Sequence, residues 1–531
     1  MKKNISYKKI FLVILISTAL YYCYLFIFGS ITKLLAGKPD DLGYYLKVAE
    51  NLVQLKKSTF DGIHLTNGYH PLWQALLIPI ASVTNQNHEL LLRCTLLFQL
   101  VLLFISTILF SNYIEYHFGP DNSALAGIMF ISIVFIQALN GMESALLIFL
   151  ICFWLWRFYK SNESHSHIHE ILNYIFEGII LGLIILARLD QIFILVGYLI
   201  VASLAYIINC KDRKVIFKRT SYTIAASFII IIPYLLYNYI VWNSIVPISG
   251  RLKSSFPIIQ LNGLRLLQSY SKYGYIYFLI GILSLITIVF FIIKRKSIFT
   301  FISQKYQFNI SFLIIATLVS IHFFYTLFFT KWGIASYYFV VYGFIFIIIF
   351  IQVITYLYQR FFNIIIYKKI FLILPLILIF TILIPLRIVE LQSKKICVRD
   401  YEAAVWIRNN TLHNTVIGME DSGIIGLFSD RRVINLDGIM NDDNYQIILK
   451  QRELKNYLLV NKAGIFIRYA VYDNPNVIDD KYNLYLKRFY SYQFKCYSDT
   501  LELFRKNEML RIGPDNSFGR NSVLIAWRIN N

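Results

Sequence analysis

Acidic residues are scarce in this chain of 531 residues: 30 Asp and Glu stand against 51 Lys and Arg, a formal charge of +21. In a soluble protein that balance points to nucleic acid. Here charge of either sign is rare, at 15% of residues, while 57% are apolar; soluble domains hold about 45–50% apolar. The basic excess lies in short loops between apolar runs, as the positive-inside bias produces. Membrane lipid, and no nucleic acid, is therefore the expected partner. Cysteine is also sparse. Cys23, Cys94, Cys152, Cys210, Cys397 and Cys496 show no metal-ligand spacing. Most sit in or beside apolar runs and are expected to pack, while Cys397 and Cys496 share a polar tail and can pair if that tail lies outside the cytoplasm. The first apolar run, FLVILISTALYYCYLFIFGS, has no small-x-small cleavage site and is too long for a signal-peptide core, so it reads as a retained anchor. The two halves share no repeat, which argues against a transporter built on repeat symmetry.

What is present is a series of about eleven runs near the ~20 apolar residues that cross a bilayer as a helix. They cover 10–30, 91–111, 123–140, 143–160, 174–188, 191–209, 220–240, 274–293, 308–329, 338–358 and 370–389. An all-α polytopic membrane domain is expected over 1–389. The shorter run PLWQALLIPIASV, 71–83, is expected to lie in the interface with Trp73 at headgroup level. The basic segments KKNISYKK, KDRKVIFKR (211–219), KRKS (294–297) and YQRFFNIIIYKK (358–369) alternate with the runs and place the N-terminus in the cytoplasm. Loops 31–90, 141–142, 188–190, 241–273 and 330–337 are then outer, and an odd span count puts residues 390–531 outside as well. That tail carries β-like TVIGMED and RRVINLDG around a helical SGIIGLFS and reads as a small α/β domain. Gly418, Gly423 and Gly426 lack dinucleotide-fingerprint spacing and are expected to allow close strand–helix packing.

Ionisable residues near lipid are expensive and point to function. Asp40 and Asp41 lie in the first outer loop, Glu143 in the turn NGMES, and Arg188 and Asp190 in ARLDQ. Arg251 and Lys253 lie in VWNSIVPISGRLK, and Lys331 and Trp332 in TKWGIASYY. All map to the same face. Acids beside cations at a lipid interface suit a lipid-phosphate substrate. A carboxylate serves as general base toward a hydroxyl, and Arg and Lys neutralise a departing phosphate. Adjacent carboxylates also suit a divalent cation, Mg or Mn, with Asp41 the candidate ligand.

The acidic pair in PDDLGYYLKVAENLV and the Pro-Leu-aromatic stretch in TNGYHPLWQALL make the chain resemble the GT-C superfamily of polytopic glycosyltransferases. Protein O-mannosyltransferases, aminoarabinose lipid A transferases and actinobacterial arabinofuranosyltransferases share this layout, many with an outer C-terminal domain. The resemblance is specific over 37–75 and looser at GMES, ARLD and PISGRLK. It implies transfer of a sugar from a polyprenyl-phosphate carrier to a glycan, lipid or protein hydroxyl, at the outer face of the cytoplasmic membrane. It also implies Asp40 as base with Asp41 its partner. Aminoarabinose transferases place a phosphate-contacting Lys beside the Pro-Leu stretch. Tyr69 and His70 stand there in this chain, so His70, Arg251, Lys253 and Arg188 are the candidate phosphate ligands. A lipid-linked glycan flippase, an outer-face polymerase or ligase, and a non-catalytic receptor are the rival readings.

Two clusters are set aside. His165, His167 and His169 fall in an expected cytoplasmic loop, and Asp442 and Asp443 in a loop with no cation cluster nearby in sequence. The topology is testable: accessibility reporters at residues 36, 215 and 450 should read outside, inside and outside. A cytoplasmic reading at 450 would dissolve the shared-face argument.

Overall fold

The computed structural model describes residues 7–160, 167–208, 213–260, 306–332, 335–361, 396–471, 477–479, 484–491, 496–515 and 522–529. Among them, Tyr7–Phe28, His88–Phe118, Pro120–Ala138, His169–Ala187, Leu189–Ile207, Arg213–Trp242 and Ile310–Phe329 are helices long and apolar enough to cross a membrane. Shorter apolar helices are Ser144–Phe158 and Tyr342–Thr355. The expected runs 274–293 and 370–389 lie outside the described residues. Each of the others falls on one of these helices, and the chain is a multi-pass membrane protein. Small residues let the helices close up. A Cβ on Gly178 would meet the Thr223 carbonyl oxygen at 2.2 Å, so only glycine lets Arg213–Trp242 lie this close to His167–Ala187.

The helix Pro71–Thr84 departs from expectation. Its Trp73 is fully buried, stacked on Phe98 with centroids 6.0 Å apart, rather than at headgroup level. The helix packs between Asp41–Gln54 and His88–Phe118, so protein surrounds the indole where lipid headgroups were expected. The basic segment 211–219 also differs. It is helical from Arg213, and Arg219 pairs with Glu177 at 2.9 Å.

Residues beyond Ile396 form an α/β unit. Its strands are β1 (Val416–Met419), β2 (Arg432–Asn435), β3 (Ala463–Val471), β4 (Val477–Asp479), β5 (Leu484–Ser491), β6 (Cys496–Phe504), β7 (Glu508–Asp515) and β8 (Ser522–Arg528). One sheet runs β2-β1-β3-β8-β7, with β1 parallel to β2 and β3 and the remaining pairs antiparallel. A second, antiparallel sheet runs β4-β5-β6. The period-2 alternation of strands sorts side chains to two faces. Ile465, Ile467, Leu524 and Ala526 join the core that continues into the membrane helices. Phe466, Val523, Ile525 and Trp527 build a separate core with Tyr445 and Leu458.

The unit docks on the segment between the helices Tyr7–Phe28 and His88–Phe118. Gly43 and Gly423 meet backbone to backbone, a Cβ on Gly43 lying 2.2 Å from the Gly423 oxygen. The glycine expected to serve strand–helix packing thus serves the domain junction. Cys397 is a free thiol that donates to the Lys38 carbonyl at 3.1 Å; the Cys496 side chain lies outside the described residues.

His88 ties the junction at its rim. Its Nδ1 lies 2.6 Å from Glu50 and its Nε2 2.9 Å from Asp430 of the C-terminal unit. Burial lowers the His88 pKa, but the Glu50 and Asp430 carboxylates outweigh it and hold it above the ordinary value of 6.5. A raised histidine pKa adds stability that is complete below about pH 6.5 and is lost as pH rises through the raised value. Thermal unfolding in detergent should therefore show a midpoint that falls as pH rises through this window. The His88→Gln variant should lose that component of the slope; an unchanged slope would remove His88 as the source.

Candidate active site

Every residue named from the sequence as a candidate for the site, Asp40 excepted, lines a single cavity of about 830 Å³. Asp41, Tyr69, His70, Glu143, Arg188, Asp190, Arg251, Lys253, Lys331 and Trp332 meet there from six separated stretches of chain. Asp40 faces the other way. Its Oδ2 accepts the Gly423 amide at 2.7 Å and its Oδ1 the Ile424 amide at 2.8 Å. Enclosure by protein and the nearby Asp400 charge push the Asp40 carboxyl well above its usual range, against the pull of those two amides. Asp40 is the N-cap of the helix Asp41–Gln54 with helical backbone angles, and successive residues on a helix are turned by about 100°. That turn carries Asp41 into the cavity. Its Oδ2 accepts the Tyr337 hydroxyl at 2.9 Å and lies 3.9 Å from the Lys253 ammonium.

A second cluster lies around the buried Arg188, 2% exposed. Its Nε donates to Asp190 at 3.1 Å and its Nη1 to the Tyr337 carbonyl at 2.9 Å. Glu143 stands 3.7 Å away. Glu143 also accepts the Tyr45 hydroxyl at 2.9 Å and faces His70 Nε2 at 3.7 Å. The Leu189 amide donates to His70 Nδ1 at 3.2 Å. That bond assigns the proton of the neutral ring to Nε2, which points toward Glu143. Burial lowers the His70 pKa, so the neutral form prevails at pH 7 and offers one N–H toward the cavity.

The remaining cations also line the cavity. Lys253 stays charged: burial opposes this, and Tyr338 and Asp41 outweigh it. Arg251 is gripped by Asp443 of the C-terminal unit at 2.7 and 2.8 Å. The acidic pair set aside earlier thus reaches the cavity wall, its cation lying 192 residues away in sequence. Asp442 caps the helix Asp443–Gln451 through the Tyr445 amide. The pairing of Ser254 with Thr330 joins the loop that carries Arg251 and Lys253 to the one that carries Lys331 and Trp332.

Sequence reading missed several lining residues. His322 approaches Asp190 at 3.5 Å from within an apolar helix, and an ionisable residue inside a span is a readable signal. Tyr44, Tyr45, Tyr337 and Tyr338 also line the cavity. With 39 tyrosines in the chain, nothing in the sequence singles these out.

The donor set does not make Asp41 a metal site. Among the described residues, the ligand atoms gathered within 4.8 Å are those of Asp40, Cys397 and Asp400. Asp41 has an ammonium and a tyrosine hydroxyl as neighbours, whereas Mg and Mn prefer several oxygen donors.

Residues 389–509 match a family described as a domain of unknown function, DUF8728. No curated protein matches the chain. Solved structures are similar in fold. The apo oligosaccharyltransferase of Archaeoglobus fulgidus superposes with TM-score 0.55 at 13% identity, over 86% of this chain and 69% of that one. The same enzyme with Zn and sulfate gives 0.51 at 14% identity, over 85% and 67%. ArnT of Cupriavidus metallidurans bound to undecaprenyl phosphate gives 0.52 at 9% identity, over 97% of each chain. The fold is that of the GT-C membrane proteins.

The Arg251–Asp443 side chains are 31% and 39% exposed. A pair that open to solvent contributes ~0.2–1 kcal/mol after screening. A double-mutant cycle on Arg251→Ala and Asp443→Ala, followed by thermal unfolding, should return a coupling in that range that shrinks with added salt. Coupling several times larger would mean that Arg251 is not free to leave for an incoming anion.

Proposed function

We propose that the protein is a membrane glycosyltransferase that moves a sugar from a polyprenyl-phosphate carrier to an acceptor hydroxyl, at the outer face of the cytoplasmic membrane. The observation that carries this reading is Asp41 in a cavity that also holds Arg188, Lys253 and Arg251 and part of whose wall is apolar. Ile185, Ile231 and Leu235, from spanning helices, form that wall and give a prenyl chain a route from lipid. ArnT of the comparison binds undecaprenyl phosphate, the same ligand chemistry, which supports the donor assignment.

Asp41 takes the proton of the acceptor hydroxyl. The oxygen attacks the anomeric carbon as the bond to the phosphate oxygen breaks. The phosphate leaves with the bonding electron pair, and Lys253, Arg188 and the Nε2–H of His70 meet its charge. Arg251 joins them on release from Asp443. One displacement inverts the anomeric configuration. Asp190 and Glu143 hold Arg188, and Tyr337 orients Asp41. The residues around Asp41, a tyrosine hydroxyl and an ammonium, do not supply an oxygen-rich ligand set for a metal ion. Asp40 becomes the anchor of the C-terminal unit in this mechanism, and the base is its neighbour.

Two variants separate the roles. With purified protein and a panel of polyprenyl-phosphate sugars, Asp41→Asn should lose about 10²–10⁴ in transfer rate while its unfolding midpoint stays near wild type. Asp40→Asn should lower the unfolding midpoint and leave a larger share of activity. Near-wild-type turnover in Asp41→Asn would remove Asp41 as base.

A further inference from the structure

The turn after β2, NLDGIM (435–440), delivers two side chains of the C-terminal unit into the cavity, where Ile439 and Met440 form part of the wall. The turn is pinned at each step. Asn435 Oδ1 accepts the Gly438 amide at 3.0 Å and the Met440 amide at 3.1 Å. Asp437 Oδ1 accepts the Ile439 amide at 2.8 Å. Gly438 has φ +84°, the left-handed region, and a Cβ there would lie 2.0 Å from Gln446 Nε2. The other Asp437 oxygen accepts the Tyr44 hydroxyl at 3.2 Å, and Tyr44 itself lines the cavity. That hydroxyl is saturated, since it also accepts the Ser422 amide and the Asn435 side-chain amide, each at 2.8 Å. The turn then locks onto the membrane domain at Gly68, where a Cβ would lie 2.1 Å from the Ile439 oxygen and 2.9 Å from Met440 Sδ.

The position of this wall decides which substrate it meets. A prenyl chain has to stay in lipid and so approaches along the spanning helices. A water-borne substrate approaches from the side on which the C-terminal unit sits. We propose that Ile439 and Met440 are specificity-determining residues for the acceptor, and that Asp437 is the positioning residue that holds them. This rests on the transferase reading above. The surface they present is uncharged and rich in C–H groups, so it favours an acceptor whose reacting hydroxyl sits on a neutral C–H face, as in a sugar ring.

The test uses the full-length protein in detergent. A polyprenyl-phosphate sugar is the donor, and p-nitrophenyl mono-, di- and trisaccharides and a serine peptide are the acceptors. Met440→Ala should shift the acceptor KM by about fivefold or more and reorder the saccharides, while the donor KM stays within about twofold. Met440→Leu, which conserves volume, should stay near wild type. Asp437→Asn should reproduce the Met440→Ala shift, and the double variant should be no worse than either alone. Several results would overturn the inference while the transferase reading stands. They are unchanged acceptor KM in Met440→Ala and Asp437→Asn, parallel shifts of donor and acceptor KM, wild-type preference for the peptide, or loss of folding in Met440→Leu. Wild-type protein that transfers to none of the acceptors with any donor would overturn both.

Discussion

Two backbone amides, those of Gly423 and Ile424, point at one carboxylate, and the geometry of the cavity follows from that contact. Asp40 cannot hold them and face the cavity at once. Once it turns to the C-terminal unit, the helical step to the next residue turns Asp41 inward. Each oxygen of the Asp40 side chain accepts one of these amides, and a buried hydrogen bond of this kind contributes about 0.5–1.5 kcal/mol net. The paired glycines Gly43 and Gly423 are the steric condition for it, since a side chain at either position would separate the two backbones. The loop that carries Asp40 and Asp41 and the C-terminal unit are therefore joined as one body. The same docking brings Asp443 to Arg251, Ile439 and Met440 to the wall, and Asp430 to His88.

Much of this was legible in the sequence because bilayers impose few choices. Spans have to be long and apolar. A charged residue near lipid is too costly to be incidental, which is why Glu143, Arg188, Asp190, Arg251, Lys253 and Lys331 were identifiable one by one from their loops. The C-terminal α/β character followed from short alternating strands, and β3 and β8 show the alternation as two separate cores.

What could not be read were relations between distant segments. Neither Asp40 nor Asp41 carries a local mark of which way it points; the backbone of Gly423, far along the chain, decides. Trp73 looked interfacial because its helix is too short to span, yet neighbouring helices fill the space that headgroups would occupy. Asp443 looked like surface because its cation lies in another domain. Ile439 and Met440 are ordinary apolar residues, and only the turn at Gly438 and the open position at Gly68 make them part of the cavity.

The burial of Arg188 is the feature least explained by stability. A buried ion cluster is a poor stabiliser, because desolvation cancels most of the attraction, and apolar residues of similar volume do as well or better. Arg188 nonetheless sits 2% exposed between Asp190 and Glu143, with its guanidinium 4.8 Å from the Tyr338 ring centre. Such an arrangement fixes the cation before any ligand arrives, and charge developing beside it finds a donor that need not reorient. Two carboxylates hold that position, so Arg188 is already paired before any anion arrives and a loose anion gains little from it. An anion has to bring its own anchor, and the apolar wall of spanning helices offers one to a lipid tail. In the proposed reaction, the electrostatics and the apolar wall would together select for a phosphate carried on a membrane-soluble chain.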